Sequence, residues 1–173
     1  VTHISAAMGA IVWMLIEWIR FGKPSLVGIA TGMVAGLATV TPASGFIGVP
    51  GGLILVLSGG IICYFSVDLI RSKFKIDDSL DVFAVHGIGG ILGTLMVSFL
   101  ALETFSGAGL AQEMSVNSQF LAQLFGVVLT VIWTLIFTYI ALKITSLFTS
   151  LRVEEQEEIE GLNLRLHGER VYY

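Results

Sequence analysis

Five stretches of this chain are apolar over the length that a helix needs to cross a lipid bilayer, and that recurrence limits the fold more than any other feature. They run from Ile4 to Ile19, Leu26 to Val40, Gly51 to Ile70, Leu80 to Leu102 and Phe120 to Ser150. A hydrocarbon core about 30 Å thick takes roughly 20 residues of helix. One cleaved signal peptide cannot account for five such segments. Composition agrees, because only 13% of the 173 residues are charged and 55% are hydrophobic. The mean hydropathy is +0.88. The expected fold class is therefore an all-α membrane protein with five transmembrane helices.

The nine basic residues set the expected sidedness, since Lys and Arg collect in short cytoplasmic loops. Arg20 and Lys23 lie between the first and second spans, and Arg71, Lys73 and Lys75 between the third and fourth. The loops Thr41 to Pro50 and Glu103 to Val116 contain none. Lys143, Arg152, Arg165 and Arg170 follow on the last span and tail. One topology satisfies all nine, with Val1 outside and the C-terminus in the cytoplasm. The net charge of -4 points away from nucleic acid. A lone cysteine, Cys63, lies within the third span and allows neither an internal disulfide nor a multi-cysteine metal site.

Val1 opens almost directly into an apolar run without an initiator methionine, which reads as a piece of a longer protein. The first span ends in Glu17, Trp18 and Arg20, an interfacial group in which Glu17 and Arg20 are spaced for an i,i+3 ion pair. In the second span Gly28, Gly32 and Gly36 recur every four residues, the small-residue pattern that lets helices approach closely in lipid. The stretch TPASGFIGVPGG reads as a tight re-entry into the third span. Asp77, Asp78 and Asp81 lie around the start of the fourth, where a helix N-terminus stabilises acids, although three carboxylates so close also imitate a metal cluster. The last span, about 47 Å long at 1.5 Å per residue, must tilt or project into the cytoplasm. Beyond it, the run Glu154, Glu155, Glu157, Glu158 and Glu160 suggests a solvated helical start that Gly161 ends.

The residue that asks for an explanation is His86, inside DVFAVHGIGGILG. An ionisable group within a span is a candidate functional site, because even a neutral imidazole has one donor and one acceptor to satisfy. The alternative is a hydrogen bond that joins two helices. Gly87, Gly89, Gly90 and Gly93 leave helix surface uncovered beside the ring, so another helix or a small permeant can come close. A narrow apolar pore with one polar lining group would favour a small neutral hydrogen-bonding molecule over a hydrated ion. Enzyme readings fare worse. In GIGGILG the third glycine falls one position late for a dinucleotide loop and no strand precedes it. Asp81 and His86, five residues apart, fall on different faces of a helix and do not form a catalytic pair. His3 lies at the outer end of the first span and reads as interfacial.

The series WMLIEWIRFGKPSL, GLATVTPASGFIGVPGG, DDSLDVFAVHGIGGILGT and LRVEEQEEIEGLNLRLHGERVYY resembles, in this order, the second half of the ammonium transporter (Amt/Mep/Rh) family. The resemblance covers essentially the whole chain. It implies eleven transmembrane helices, of which the first ten form two inverted halves, assembled as a homotrimer with one pore per subunit. Residues 1–150 would then supply the seventh to eleventh helices of the transporter domain, and residues 151–173 a cytoplasmic regulatory tail. It implies no enzyme activity, cofactor or metal site. Ammonium would lose its proton outside, ammonia would cross the apolar pore, and the proton would be conveyed separately. A non-conducting ammonium sensor is the alternative. By the same resemblance His86 looks like the second of the family's paired pore histidines, and Asp81 and Val82 like its cytoplasmic pore exit. Gly161, His167 and Gly168 match the regulatory tail on which PII-type signalling proteins act. Asn163 stands where the family pattern has aspartate. Arg165 replaces a threonine that some members phosphorylate.

Overall fold

The computed structural model describes residues 1–168 and contains helices at all five expected spans. They are α1 (Thr2–Phe21), α2 (Leu26–Val40), α3 (Val49–Asp68), α4 (Gly89–Leu100) and α5 (Val116–Ser146). No strand occurs among the described residues. Two of the spans are longer than their α-helices. Leu69–Lys73 extends α3 as a π-helical turn, and Phe83–Ile88 leads into α4 as another. The chain divides into one compact unit over Val1–Val127 and a second that begins at Val128.

In the first unit, the glycines of α2 fulfil the expected close approach. A side chain on Gly9 would strike the backbone of Gly32 and Gly36, and one on Gly36 the carbonyl of Ser5. The turn between α1 and α2 is tied by Glu17, whose carboxylate accepts from the Ser25 amide at 2.6 Å and its hydroxyl at 3.0 Å. Ser25 in turn caps α2 by accepting from the Gly28 amide at 2.8 Å. The i,i+3 pair of Glu17 with Arg20 expected from the sequence therefore does not form. The free amides at the start of α2 claim the carboxylate. Arg20 turns instead to α3, where it meets Asp68 at 2.5 Å and lies over the ring of Tyr64.

Trp13 joins α1 to α3, donating its indole N–H to the carbonyl of Gly60 at 3.0 Å and meeting Tyr64 edge to face. At the opposite end of the unit, the two loops that lack Lys and Arg pack together through the Ala108 amide and the Phe46 carbonyl at 2.9 Å. Basic and non-basic loops are thus gathered at separate ends, as a single topology requires.

Helix α5 is 31 residues long, as expected, but starts four residues earlier than the hydropathy alone suggested. Ser115 sets its start by accepting from the Ser118 amide at 3.1 Å. None of its residues is buried. The second unit holds α6 (Glu155–Glu160) and α7 (Leu162–His167), separated by Gly161 at φ 93°. The acidic run is helical and ends at that glycine, as its composition indicated.

Candidate functional site

The segment that carries His86 is built from its two ends. At the loop end, Asp78 accepts from the amides of Val82 at 2.8 Å and Phe83 at 2.9 Å, which satisfies donors that a helix start leaves free. The acids here serve as cap and ion-pair partners. No group of three or more metal-ligand side chains occurs among the described residues.

At the helix end, Gly89 and Gly93 press against α2. A side chain on Gly93 would strike the carbonyl of Thr39, and one on Gly89 would come within 2.9 Å of the Thr39 hydroxyl. Cys63, fully buried in α3, points its thiol at the carbonyl of Val85 from 3.9 Å. Between these anchors the π-helical turn holds Ala84 and Val85 in the bundle. Val85 packs with Val12, Trp13, Ala35, Cys63 and Tyr64.

His86 follows directly and is exposed. It has no hydrogen-bond or ion-pair partner among the described residues, so the helix-joining bond considered from the sequence does not form within this bundle. The four neighbouring glycines, read together as uncovered surface, divide into different roles. Gly89 and Gly93 are packing contacts, Gly87 faces the Phe83 ring, and a side chain on Gly90 would meet nothing within 4 Å. Gly90 lies one turn beyond His86, so open space adjoins the imidazole along the helix. His3 is also exposed, at the far end of α1.

Asp81 and Val82 lie at the mouth of the same segment. Val82 is exposed, whereas the Asp81 side chain is only 13% exposed and receives Arg71 Nε at 2.8 Å. Asp81 adopts φ 56°, a left-handed conformation that costs a non-glycine residue about 1–2 kcal/mol, although aspartate tolerates it better than most. Burial pushes its carboxyl above the usual range. Arg71 pulls it down and Asp78 adds to the rise. A cleft of about 230 Å³ opens here, lined by Glu17 and Trp13 of α1, Tyr64 and Asp68 of α3, Arg71 and Asp81.

The structure thus brings together Asp81, Val82 and His86 within one segment of the first unit. Gly161, His167 and Gly168 lie in the second, where Gly161 and Gly168 adopt positive φ and His167 is the last residue of α7. Sequence reasoning missed Arg71 as part of the site, having counted it only toward sidedness. The usable signal was its position: spans three and four run antiparallel and a short loop joins them, which sets Arg71 opposite the acids.

The model of the Ammonium Transporter Family matches residues 1–172. The ammonium transporter Amt1 of Archaeoglobus fulgidus is 45% identical, over 99% of this chain and 43% of its own length. A putative ammonium transporter of Methanothermobacter thermautotrophicus is 40% identical over the same shares. Among solved structures, a sensor Amt protein superposes with a TM-score of 0.83 at 27% identity, covering 95% of this chain and 40% of its own. Mep2 of Saccharomyces cerevisiae gives 0.76 at 30% identity, over 90% and 36%. The chain spans less than half the length of the relatives it matches.

Proposed function

The chain belongs to the ammonium transporter family, and on that premise we propose that it supplies half of a pore through which ammonium nitrogen crosses the membrane as ammonia. The observation that carries this reading is the orientation of His86. The imidazole stands on a membrane span, turned from the helices of its own unit, with open space over Gly90.

A bare cation pays a large desolvation penalty in such apolar surroundings, and neutral ammonia does not. Ammonium therefore gives up its proton before entry, ammonia passes beside His86, and the proton travels separately. A neutral imidazole both donates and accepts, which suits a proton relay with a second imidazole on the other half of the pore. Asp81 and Val82 border the cytoplasmic exit. Residues 1–150 form part of the transporter domain, and residues 151–173 are its cytoplasmic tail. Gly161, His167 and Gly168 in that tail couple subunits of a homotrimer and respond to a PII-type protein. The basic loops support a cytoplasmic C-terminus in the cell membrane.

The likeness to a sensor Amt protein favours one second reading, in which the assembly binds ammonium without conducting it. Proteoliposomes containing the complete transporter separate the possibilities after an ammonium pulse. Current indicates ammonia passage with separate proton transfer, and internal alkalinisation without current indicates ammonia alone. Binding with neither response supports the sensor and contradicts transport.

A further inference from the structure

We propose that Arg71 is a positioning residue that fixes the cytoplasmic mouth and, through it, the π-helical turn that presents His86; this rests on the transport reading of His86 given above.

One guanidinium gathers three points of the short segment that precedes the turn. Its Nε meets the carboxylate of Asp81 at 2.8 Å, and a terminal nitrogen donates to the carbonyl of Ser79 at 3.1 Å and toward that of Asp78 at 3.4 Å. The planar fork of arginine suits such divided donation. Each contact has a structural consequence. Asp81 occupies the left-handed region, which L residues rarely adopt, and the ion pair holds it there. Asp81 carbonyl oxygen then accepts from the Val85 amide at 2.8 Å, while the Asp78 carboxylate accepts from the Val82 and Phe83 amides. The backbone leading into the turn is thus anchored at three amides to Asp78 and Asp81, two of the three residues that Arg71 grips. Arg71 itself sits in the π-helical extension of α3, so the contact ties that extension to the segment that leads into the second π-helical turn.

The charged groups facing Asp81 are Arg71 from the extension of α3, Asp68 of α3, which is already paired with Arg20, Glu17 from α1 across the cleft, and Asp78 on its own loop. Three of these four neighbours are carboxylates. Removing Arg71 takes away the cation that pairs with Asp81 and leaves Asp78 beside it, which raises its carboxyl further and makes the mouth sensitive to mild acid.

The test uses the complete transporter carrying Arg71→Ala, Arg71→Lys or Arg71→Ala with Asp81→Asn. Amide hydrogen exchange at Val82, Phe83 and Val85 reads the positioning directly. Ammonium-evoked current against cytoplasmic pH reads its consequence. Arg71→Ala is expected to speed exchange at those amides about tenfold while α1 and α2 keep their protection. Maximal current should fall about fivefold or more, with the half-saturating ammonium concentration little changed. An added acid-side loss of current should appear in Arg71→Ala and vanish in the double variant. Arg71→Lys should recover part of both readouts, because an ammonium keeps the ion pair and loses the fork. Unchanged exchange in Arg71→Ala overturns the proposal, as does faster exchange with an unaltered current and pH profile. If the wild-type transporter carries no current, the transport reading fails, and exchange alone decides whether Arg71 positions the turn.

Discussion

Val85 and His86 are adjacent in sequence, yet one is buried in the bundle and the other exposed. Val85 is 1% exposed and packs with Trp13 and Cys63, while His86 stands outside the bundle. The π-helical turn is pinned on one side by buried apolar contacts and at its start by Asp78, so the imidazole direction is a consequence of packing on the other face. Inserted π-turns occur disproportionately at functional sites, where they re-aim a side chain without breaking the helix.

The glycines around His86 give a paired prediction. Gly93→Ala forces a methyl into the Thr39 carbonyl and should cost about 1–3 kcal/mol, seen as a lower midpoint of thermal unfolding in detergent. Gly90→Ala meets open space and should be neutral or gain up to about 1 kcal/mol from helix propensity. Equal effects at the two positions would contradict the division of roles.

Trp13→Phe removes the hydrogen bond to the Gly60 carbonyl and shrinks the edge contact with Tyr64. A loss of about 1–2 kcal/mol is expected, since the buried carbonyl is left without that donor. The same thermal measurement checks it, and an unchanged midpoint would show that the pair does not join α1 to α3.

Asp78→Ala should cost about 1 kcal/mol by freeing the Val82 and Phe83 amides. Exchange at those two amides should quicken while that at Gly28, capped by Ser25, stays unchanged. Uniform quickening would contradict a local cap.

Asp81 yields a prediction about pH. Its carboxyl is raised in the folded protein, first by burial and in spite of Arg71. A raised group contributes stability that is full below the unfolded value of about 3.9 and is lost as pH rises through the folded one. At pH 7 the ionised side chain is therefore a net cost. Asp81→Asn, which tolerates the same backbone and still accepts from Arg71, should raise the unfolding midpoint by about 1–3 °C at pH 7. The gain should shrink near pH 4. A lowered midpoint at pH 7 would contradict the direction of the shift.

Much of the fold was legible because lipid imposes simple rules. Hydropathy located the spans, the spacing of Gly28, Gly32 and Gly36 anticipated that α2 packs closely, though not that α1 is the neighbour, and the basic loops gathered at one end. Boundaries set by hydrogen bonds were less accessible. Ser115 moved the start of α5, and Glu17 chose the amide of Ser25 over Arg20 because a helix start offers unsatisfied donors at close range. At the site, His86 stood out as an ionisable residue in an apolar run. The π-helical turn did not, since no residue type announces one. The roles of Gly89 and Gly90, adjacent and chemically identical, differ only in what lies opposite each, which the fold alone decides. Arg71 was hidden for the same reason.

The central claim is that His86 lines the conducting path. Its most direct test is the current evoked by an ammonium pulse on proteoliposomes containing the complete transporter, compared with His86→Ala. A wild-type current that the substitution abolishes, or reduces about tenfold or more with the protein still folded, is the predicted result. A wild-type current that His86→Ala leaves unchanged in size and pH dependence would contradict it.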